Sequence, residues 1–135
     1  MQLLDYRYLY VFKVKGKNLY KIGISKDWNV RKKQIQKSKK LRGKLRLMIA
    51  VPLVGATFFE QRLHKKFDTH RKPIKGVSGG TEFFELNNYD GRIGLRGEVL
   101  KYFIVQLFIL TVCIMTVILN ILGWTWRDYL ESVFN

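Results

Sequence analysis

The feature that most constrains this chain is the run of residues 102–126, which contains no charged side chain. At a rise of about 1.5 Å per residue, roughly 20 apolar helical residues cross the hydrocarbon core of a bilayer. Tyr102 stands at one end of the run and Trp124 and Trp126 at the other, as aromatic residues do at membrane interfaces. The alternative is a buried helix of a soluble protein, but a small domain has too little core to surround it. The run therefore predicts one transmembrane helix over residues 102–126.

The charges beside this run predict its orientation. Arg92, Arg96 and Lys101 precede the run, and Arg127 follows it. Because positive residues are enriched on the cytoplasmic side of a span, we expect a single-pass membrane protein whose N-terminal domain is cytoplasmic. We interpret residues 89–101 as a basic juxtamembrane linker and residues 127–135 as a short tail.

The part of the chain before the run is strongly basic. Residues 1–101 carry a net charge of +16, whereas the residues after Trp126 carry −1. Such a surface attracts polyanions, which are either nucleic acid or the anionic face of a membrane. A solvated face is the alternative interpretation, and lipid head groups compete for the same charge. The candidate nucleic-acid-binding residues form the densest basic segment and are Lys32, Lys33, Lys37, Lys39, Lys40 and Arg42.

Residues 8–25 have the pattern of a β-hairpin. Tyr8–Val14 and Leu19–Ile24 are rich in aromatic and β-branched residues, which favour strands. Between them, Gly16 and Asn18 are residues that tolerate the positive φ of a tight turn.

The later segments predict a small α/β domain over residues 1–88. Asp27, or alternatively Ser25, is a suitable N-cap for a helix over 28–38, and residues 45–54 have the pattern of a third strand. Residues 56–67 have the helical spacing of Phe59, Leu63 and Phe67, and residues 81–86 alternate as a short fourth strand. The predicted order is hairpin, helix, strand, helix and short strand, followed by the single transmembrane helix.

The hairpin and the first helix resemble the GIY-YIG nuclease superfamily. Tyr10 matches the tyrosine of the first triplet, and Lys21-Ile22-Gly23 matches the second triplet with Lys in place of Tyr, as in the phage-type branch. Arg31 falls where that superfamily carries its helix arginine. Tyr8 stands where the first triplet has its glycine. The resemblance covers about residues 8–86.

The resemblance implies metal-dependent cleavage of a DNA phosphodiester. Glu60 matches the metal-binding glutamate, which implies Mg²⁺ or Mn²⁺, and Arg31 is a guanidinium that suits phosphate oxygens. Tyr10 is implied as the base, with a neighbouring cation to lower its pKa, and Lys21 as a phosphate or water contact. His64, four residues after Glu60, is a secondary candidate, because members of this branch carry a Glu-x-x-x-His pair.

Each of these residues also has an ordinary structural interpretation. Tyr10 can simply pack a half-buried strand, and Lys21 can be a solvated strand residue. Arg31 is one of many basic residues on its helix. Glu60 can pair with surface cations, and His64 can be a hydrogen-bonded helix residue.

We therefore interpret the chain as a GIY-YIG-type, metal-dependent DNA endonuclease anchored to a membrane. Its expected partners are DNA and the lipid bilayer, with a homo-oligomer as a further expectation from Asn120 and the threonines of the span. A catalytically inactive nucleic-acid-binding domain on the same fold is one alternative. A membrane adaptor with a basic face that binds lipid or a partner protein is the other.

Overall fold

The two strands predicted as a hairpin form the centre of an antiparallel sheet. In the computed structural model, which describes residues 6–123 and 126–134, β1 is Tyr6–Val14 and β2 is Leu19–Ser25. The two strands pair antiparallel around a turn at Gly16. Gly16 has a φ of 78°, which lies in the left-handed region that glycine adopts without steric cost.

Two outer strands complete the sheet in the order β3-β1-β2-β4. β3 is Leu45–Val54 and pairs antiparallel with β1. β4 is Phe83–Glu85 and pairs antiparallel with β2. β4 is shorter than predicted, because Gly80–Glu82 form a 3₁₀ turn that begins after Gly79, a residue with a φ of 64°. The mixed α/β fold predicted from the sequence is confirmed.

One helix packs on each side of this sheet. α1, Trp28–Gln36, lies on the side we call the α1 face, where Ile35 packs with Phe12 and Phe83 in a buried cluster. α2, Ala56–Lys66, lies on the side we call the α2 face, where Leu63 packs with other fully buried apolar residues. Because side chains alternate along a strand, neighbouring residues of β1 and β2 serve different faces.

The third helix, α3, is Leu95–Ile121, and it begins earlier than the apolar run does. Leu95 and Val99 are fully buried in the α2-face core, so residues 95–101 are helix and not the linker that we predicted. The spacing of these two residues is the helical signal, which the glycines around them obscure. A π-helical turn over Asp90–Gly94 precedes α3, and there Gly91 lies against the ring of Tyr20, where an added Cβ would collide.

The C-terminal boundaries also differ from the prediction. α3 ends at Ile121, because Gly123 takes a φ of 72° and its N–H donates to the carbonyl oxygen of Asn120 at 3.1 Å. Trp126–Phe134 form a further helix, α4, where we predicted a short tail. The apolar residues Tyr129, Leu130 and Val133 recur at helical spacing there.

The helical segment Asp90–Ile121 is long and apolar enough to cross a membrane, with a mean hydropathy of 2.5 in its most apolar window. The chain divides into two compact units, and the boundary falls inside α3 between Phe103 and Ile104. All candidate site residues belong to the first unit.

Candidate active site

The two central strands bring Tyr10 and Lys21 to the α1 face. In the register of the hairpin, Tyr10 lies opposite Gly23 and Phe12 lies opposite Lys21. The ring of Tyr10 stacks on Phe12 with 4.4 Å between centroids and extends across Gly23. A Cβ added at Gly23 would lie 2.5 Å from the Tyr10 hydroxyl, so this glycine provides the space that the tyrosine occupies.

The hydroxyl of Tyr10 is held in its neutral form. Tyr10 is only 1% exposed, and burial raises its pKa to about 12. A hydrogen bond and the positive charge of Arg31 act in the opposite direction, but burial outweighs them, while the charges of Glu82 and Glu60 reinforce it. The lowering of this pKa that we expected from a nearby cation is therefore present but is smaller than the effect of burial.

Lys21 is a fully buried lysine with an internal partner. Its Nζ donates to the Gly79 carbonyl oxygen at 2.6 Å and to Glu82 Oε2 at 2.6 Å. The ammonium also lies 5.1 Å from the centroid of the Phe83 ring. Burial lowers the pKa of Lys21, and the hydrogen bond and charge of Glu82 oppose that change. In this arrangement the ammonium faces protein atoms and not solvent.

Arg31 is positioned by the N-terminus of α1. Asp27 caps this helix, since its Oδ1 accepts from Asn29 N at 2.8 Å and from Val30 N at 3.0 Å. The guanidinium donates to Gln34 Oε1 at 3.3 Å and acts on Tyr10, as described above. It also reaches Gly79, where an added Cβ would lie 3.2 Å from Nη2.

Glu60 and His64 belong to α2 but reach the edge of β2. β4 pairs with β2 from Leu19 to Lys21, so among the described residues no strand pairs with the next part of that edge. The backbone of Ile24 hydrogen-bonds with Glu60, and His64 Nε2 lies 3.1 Å from the Ile22 carbonyl oxygen. Because a carbonyl only accepts, Nε2 carries the proton and Nδ1 is left as the acceptor nitrogen of the ring. These side chains satisfy backbone groups that a longer β4 would have paired.

Burial and neighbouring charge shift the pKa values of these two residues in opposite directions. Burial raises the pKa of Glu60 to about 7, the charge of Glu82 adds to this, and Lys21 opposes it. Burial lowers the pKa of His64, and the bond to Ile22 opposes that change. Glu60 is therefore a partly buried carboxylate whose charge the surrounding protein does not fully compensate.

Glu82 is a site residue that was not among our candidates. It is the ion-pair partner of Lys21, its side chain is 30% exposed, and it affects the pKa of Tyr10, Glu60 and His64. The signal in the sequence was the segment Thr81–Phe84, which resembles the closing Glu-aromatic-Phe motif of the phage-type branch. That motif indicates the residue, but only the fold shows its contact with Lys21.

A divalent metal would find one suitable carboxylate here. Within residues 6–123 and 126–134, no group of three or more His, Cys, Asp or Glu residues is arranged to hold a metal ion. Glu60 and Glu82 act on each other electrostatically, and Glu82 is already paired with Lys21. A hard oxygen donor with excess negative charge suits Mg²⁺, which keeps several waters and takes phosphate oxygens as ligands. The residues present thus fit a metal held by Glu60 alone.

The basic segment begins on α1 directly after Arg31. Lys33, Lys37, Lys39, Lys40 and Arg42 are exposed, and Lys32 is partly exposed. Lys32 and Lys33 lie on the same helix as Arg31, and the others follow its C-terminal end. A cavity of about 350 Å³ lies at the far end of this segment, and the cations that line it are Lys17, Lys40, Arg42, Lys72 and Lys75.

Comparison with known families gives a match over most of the chain. The family model of the T5orf172 domain matches residues 7–101, a range that includes every candidate site residue. The match supports a phage-associated, nuclease-like domain with a nuclease-like or DNA-binding role. No curated protein and no solved structure matches the chain. The resemblance to the GIY-YIG superfamily is more specific than this match and stays a prediction.

Proposed function

Because the chain belongs to the T5orf172 domain family, we propose that it is a metal-dependent DNA endonuclease anchored to a membrane. The observation that carries this proposal is the convergence of five polar side chains from separate elements. Tyr10 and Lys21 come from β1 and β2, Arg31 from α1, Glu60 from α2 and Glu82 from the turn before β4. Burial and the charges of Arg31 and Glu82 change the pKa values of residues in this group, and buried polar clusters with perturbed pKa values are typical of catalytic sites.

In this proposal Arg31 binds the phosphate that is cleaved. The fork of an arginine guanidinium matches phosphate oxygens, and that of Arg31 lies beside the Tyr10 hydroxyl at the start of α1. A divalent cation bound at Glu60 would supply further positive charge to the phosphate and to the leaving oxygen. Lys21 positions Glu82 and the backbone at Gly79, and so fixes the loop that borders Arg31.

The proton acceptor for the attacking water is better assigned to His64 than to Tyr10. A tyrosine with a pKa of about 12 is neutral at pH 7, so its hydroxyl acts as a hydrogen-bond donor. His64 has a lowered pKa, and with Nε2 donating to Ile22 its Nδ1 can take up a proton. If so, replacement of His64 by Gln alters the acid limb of the pH–rate profile, whereas Tyr10→Phe lowers the rate at every pH.

The membrane anchor in this proposal is α3. Its apolar side chains beyond Tyr102 are mostly exposed, as a lipid-facing helix requires. Three polar side chains of the apolar run bond within the helix: Thr111 donates to Leu107 O, Thr116 to Val112 O and Asn120 to Thr116 O, each at 2.9 Å. Internal hydrogen bonds of this kind suit a helix in a solvent that offers no partners. The positive residues before the span favour a cytoplasmic N-terminal domain.

The test is cleavage of supercoiled plasmid by the full chain in neutral detergent, with Mg²⁺, Mn²⁺ or EDTA. The full chain is needed because Val99 of α3 belongs to the core of the domain. Nicking should require the metal and should fall by about 100-fold or more in Glu60→Gln and in Arg31→Gln. Glu85→Gln is the matched control, because Glu85 is an exposed glutamate whose partner is Lys72.

A second candidate function is a DNA-binding domain that does not cleave. It is favoured by one observation, namely that Lys21 is fully engaged by Glu82 and Gly79 and offers no free ammonium to a phosphate. Under this alternative, the wild-type chain binds DNA with a steep salt dependence and shows no metal-dependent nicking. Equal DNA binding by wild type and Glu60→Gln, with no cleavage by either, would establish it over the endonuclease.

A further inference from the structure

A second charged region lies on the α2 face, away from Arg31 and Lys21. A cavity of about 390 Å³ opens there between the β1–β3 end of the sheet and the start of α3. Its lining residues are Lys13, Arg46, Leu47, Met48, Arg92 and Arg96. Four of the six are cations and none is acidic, so the cavity has an excess of positive charge.

A β-bulge in β3 helps to open this cavity. Val11 lies opposite Ile49, but the next residue of β1, Phe12, lies opposite Leu47. Met48 is therefore the extra residue, and a bulge of this kind bends the strand and redirects its side chains. The bulge leaves Leu47 and Met48 as the apolar part of the cavity wall.

The four cations are arranged as two like-charged pairs. Lys13 and Arg46 are directly opposite each other on β1 and β3, where like charges destabilise a sheet. Arg92 and Arg96 are four residues apart in the helical segment, where like charges also repel. Within the described residues none of the four has an ion-pair partner, and the Lys13 ammonium lies 5.2 Å from the centroid of the Tyr20 ring. Binding of an anion would reduce this repulsion and so stabilise the arrangement.

The position of the cavity favours a phospholipid as the source of that anion. Arg96 lies six residues before Tyr102 on α3, which is about 9 Å along the helix axis from the start of the uncharged run. DNA held at Arg31 would lie on the α1 face, on the other side of the sheet. Arginine forks match phosphate oxygens, and basic pockets beside a span are suited to anionic head groups.

We infer that this cavity binds the phosphate head group of an anionic phospholipid in the leaflet where α3 enters the membrane. The inference rests on the membrane anchoring proposed above and not on DNA cleavage. The anionic head group reduces the repulsion between the two pairs of cations, and Met48, which packs against the α2-face core, contacts the apolar part of the lipid.

The experiment measures lipid retention by the full chain. The chain is reconstituted in nanodiscs of phosphatidylcholine with or without phosphatidylglycerol and is then released into mild detergent. Native mass spectrometry measures which lipids stay bound to it. Wild type should retain phosphatidylglycerol in preference to phosphatidylcholine. In the triple variant Arg46→Gln/Arg92→Gln/Arg96→Gln, the ratio of retained phosphatidylglycerol to retained phosphatidylcholine should fall by at least about tenfold.

The matched control is the triple variant Lys15→Gln/Lys26→Gln/Lys65→Gln. It removes the same charge from exposed positions outside the cavity and should retain the preference of wild type. Thermal unfolding checks both variants, and the cavity variant should be at least as stable as wild type in detergent without lipid, because repulsion has been removed. Equal loss of lipid in the two triple variants would overturn the inference, since general charge would then explain binding.

Other outcomes separate this inference from the anchoring proposal and from DNA binding. If the chain inserts into nanodiscs but wild type shows no preference for phosphatidylglycerol, the inference fails while anchoring stands. If the chain does not insert, anchoring itself fails and the inference falls with it. If the cavity variant loses DNA affinity but keeps its bound lipid, the cavity binds DNA and the inference is overturned. The inference is also overturned if inorganic phosphate binds the cavity without displacing lipid, because the lipid then lies elsewhere.

Discussion

The two faces of the sheet carry their positive charge in opposite ways. On the α1 face, Lys21 is fully buried and its ammonium is neutralised by Glu82 and the Gly79 carbonyl. On the α2 face, Lys13 and Arg46 stand opposite each other without an acidic partner within the described residues. A buried charge must be matched inside the protein, whereas an exposed charge can be left for a ligand to match. The comparison distinguishes a cation that stabilises the fold, Lys21, from cations that can bind an anionic ligand, Lys13 and Arg46.

The largest effect should come from breaking the buried ion pair. Glu82–Lys21 and Glu85–Lys72 are both 2.6 Å contacts, but the Lys21 side chain is 0% exposed whereas that of Lys72 is 56% exposed. Glu82→Ala leaves a buried charge unmatched and should destabilise the full chain by about 3 kcal/mol, the lower end of the usual range because Glu82 is partly exposed. Glu85→Ala should cost less than about 1 kcal/mol. Thermal unfolding in neutral detergent measures both, and equal losses would contradict the distinction between the faces.

Packing at Gly23 should give the next largest effect. Gly23→Ala places a Cβ against the buried ring of Tyr10 and should destabilise the fold by about 1–3 kcal/mol. Gly97, which follows Arg96 on α3, has no neighbouring atom within 4 Å of an added Cβ. Gly97→Ala should therefore stabilise the helix by about 0.5–1 kcal/mol. The same unfolding assay decides, and a neutral Gly23→Ala would show that the α1 face is less tightly packed than the structure indicates.

A smaller effect should appear at the edge between the faces, where His64 makes stability depend on pH. Its pKa is lower in the folded chain than in the unfolded chain, so its contribution is present above about pH 6.5 and is lost as pH falls through the folded value. Glu60 acts in the opposite sense, because its raised pKa makes the fold less stable as pH rises towards 7. Neighbouring charges on His64 are Glu82, Arg71 and Lys21.

Comparison with His64→Gln isolates the histidine from these other groups. Glutamine retains a donor for the Ile22 carbonyl but does not titrate. The variant should lose less stability than wild type when unfolding is followed from neutral to acid pH without metal. Parallel pH dependence in the two proteins would show that His64 titrates as it does in the unfolded chain.

The smallest effect on stability should come from the cations of the α2 face that have no acidic partner within the described residues. Arg46→Gln removes one member of the like-charged pair with Lys13 and should stabilise the chain by about 0.2–1 kcal/mol at low salt. The gain should vanish at high salt, because exposed charges are screened. Lys15→Gln, at the exposed hairpin turn, should change stability less. A loss of stability in lipid-free Arg46→Gln would mean that Arg46 has a partner on the folded chain.

The sequence predicts the elements of this fold well because their signals are local. The alternation in residues 8–14 and 19–24, the N-cap at Asp27 and the spacing of Leu63 and Phe67 each specify an element that the structure contains. The spacing of Tyr10, Lys21 and Arg31 likewise places them in the right elements. Such patterns depend on neighbours a few residues away, which a single sequence displays.

The partners of the site residues depend on contacts that no local pattern displays. In the sequence, Lys21 has the pattern of a solvated strand residue. The acidic partner that allows it to be buried is Glu82, which lies 61 residues later. The edge that Glu60 and His64 cover exists because β4 is short, and β4 is short because a 3₁₀ turn precedes it. The bulge at Met48 and the helical start of α3 are likewise consequences of tertiary packing.

The shortness of β4 has a consequence for motion. Only Leu19, Tyr20 and Lys21 of β2 pair with it, and among the described residues its other side is bonded through Arg71 and Lys72, so fewer backbone hydrogen bonds hold it than hold β1. Amide hydrogen exchange should therefore be faster in residues 79–85 than in β1, which has a strand on both sides. Each such opening carries away the atoms that hold Lys21 while the central hairpin stays intact. Faster exchange there would mean that the Lys21 ammonium can reach an incoming phosphate without global unfolding, whereas exchange as slow as in β1 would mean that it stays with Glu82 and Gly79.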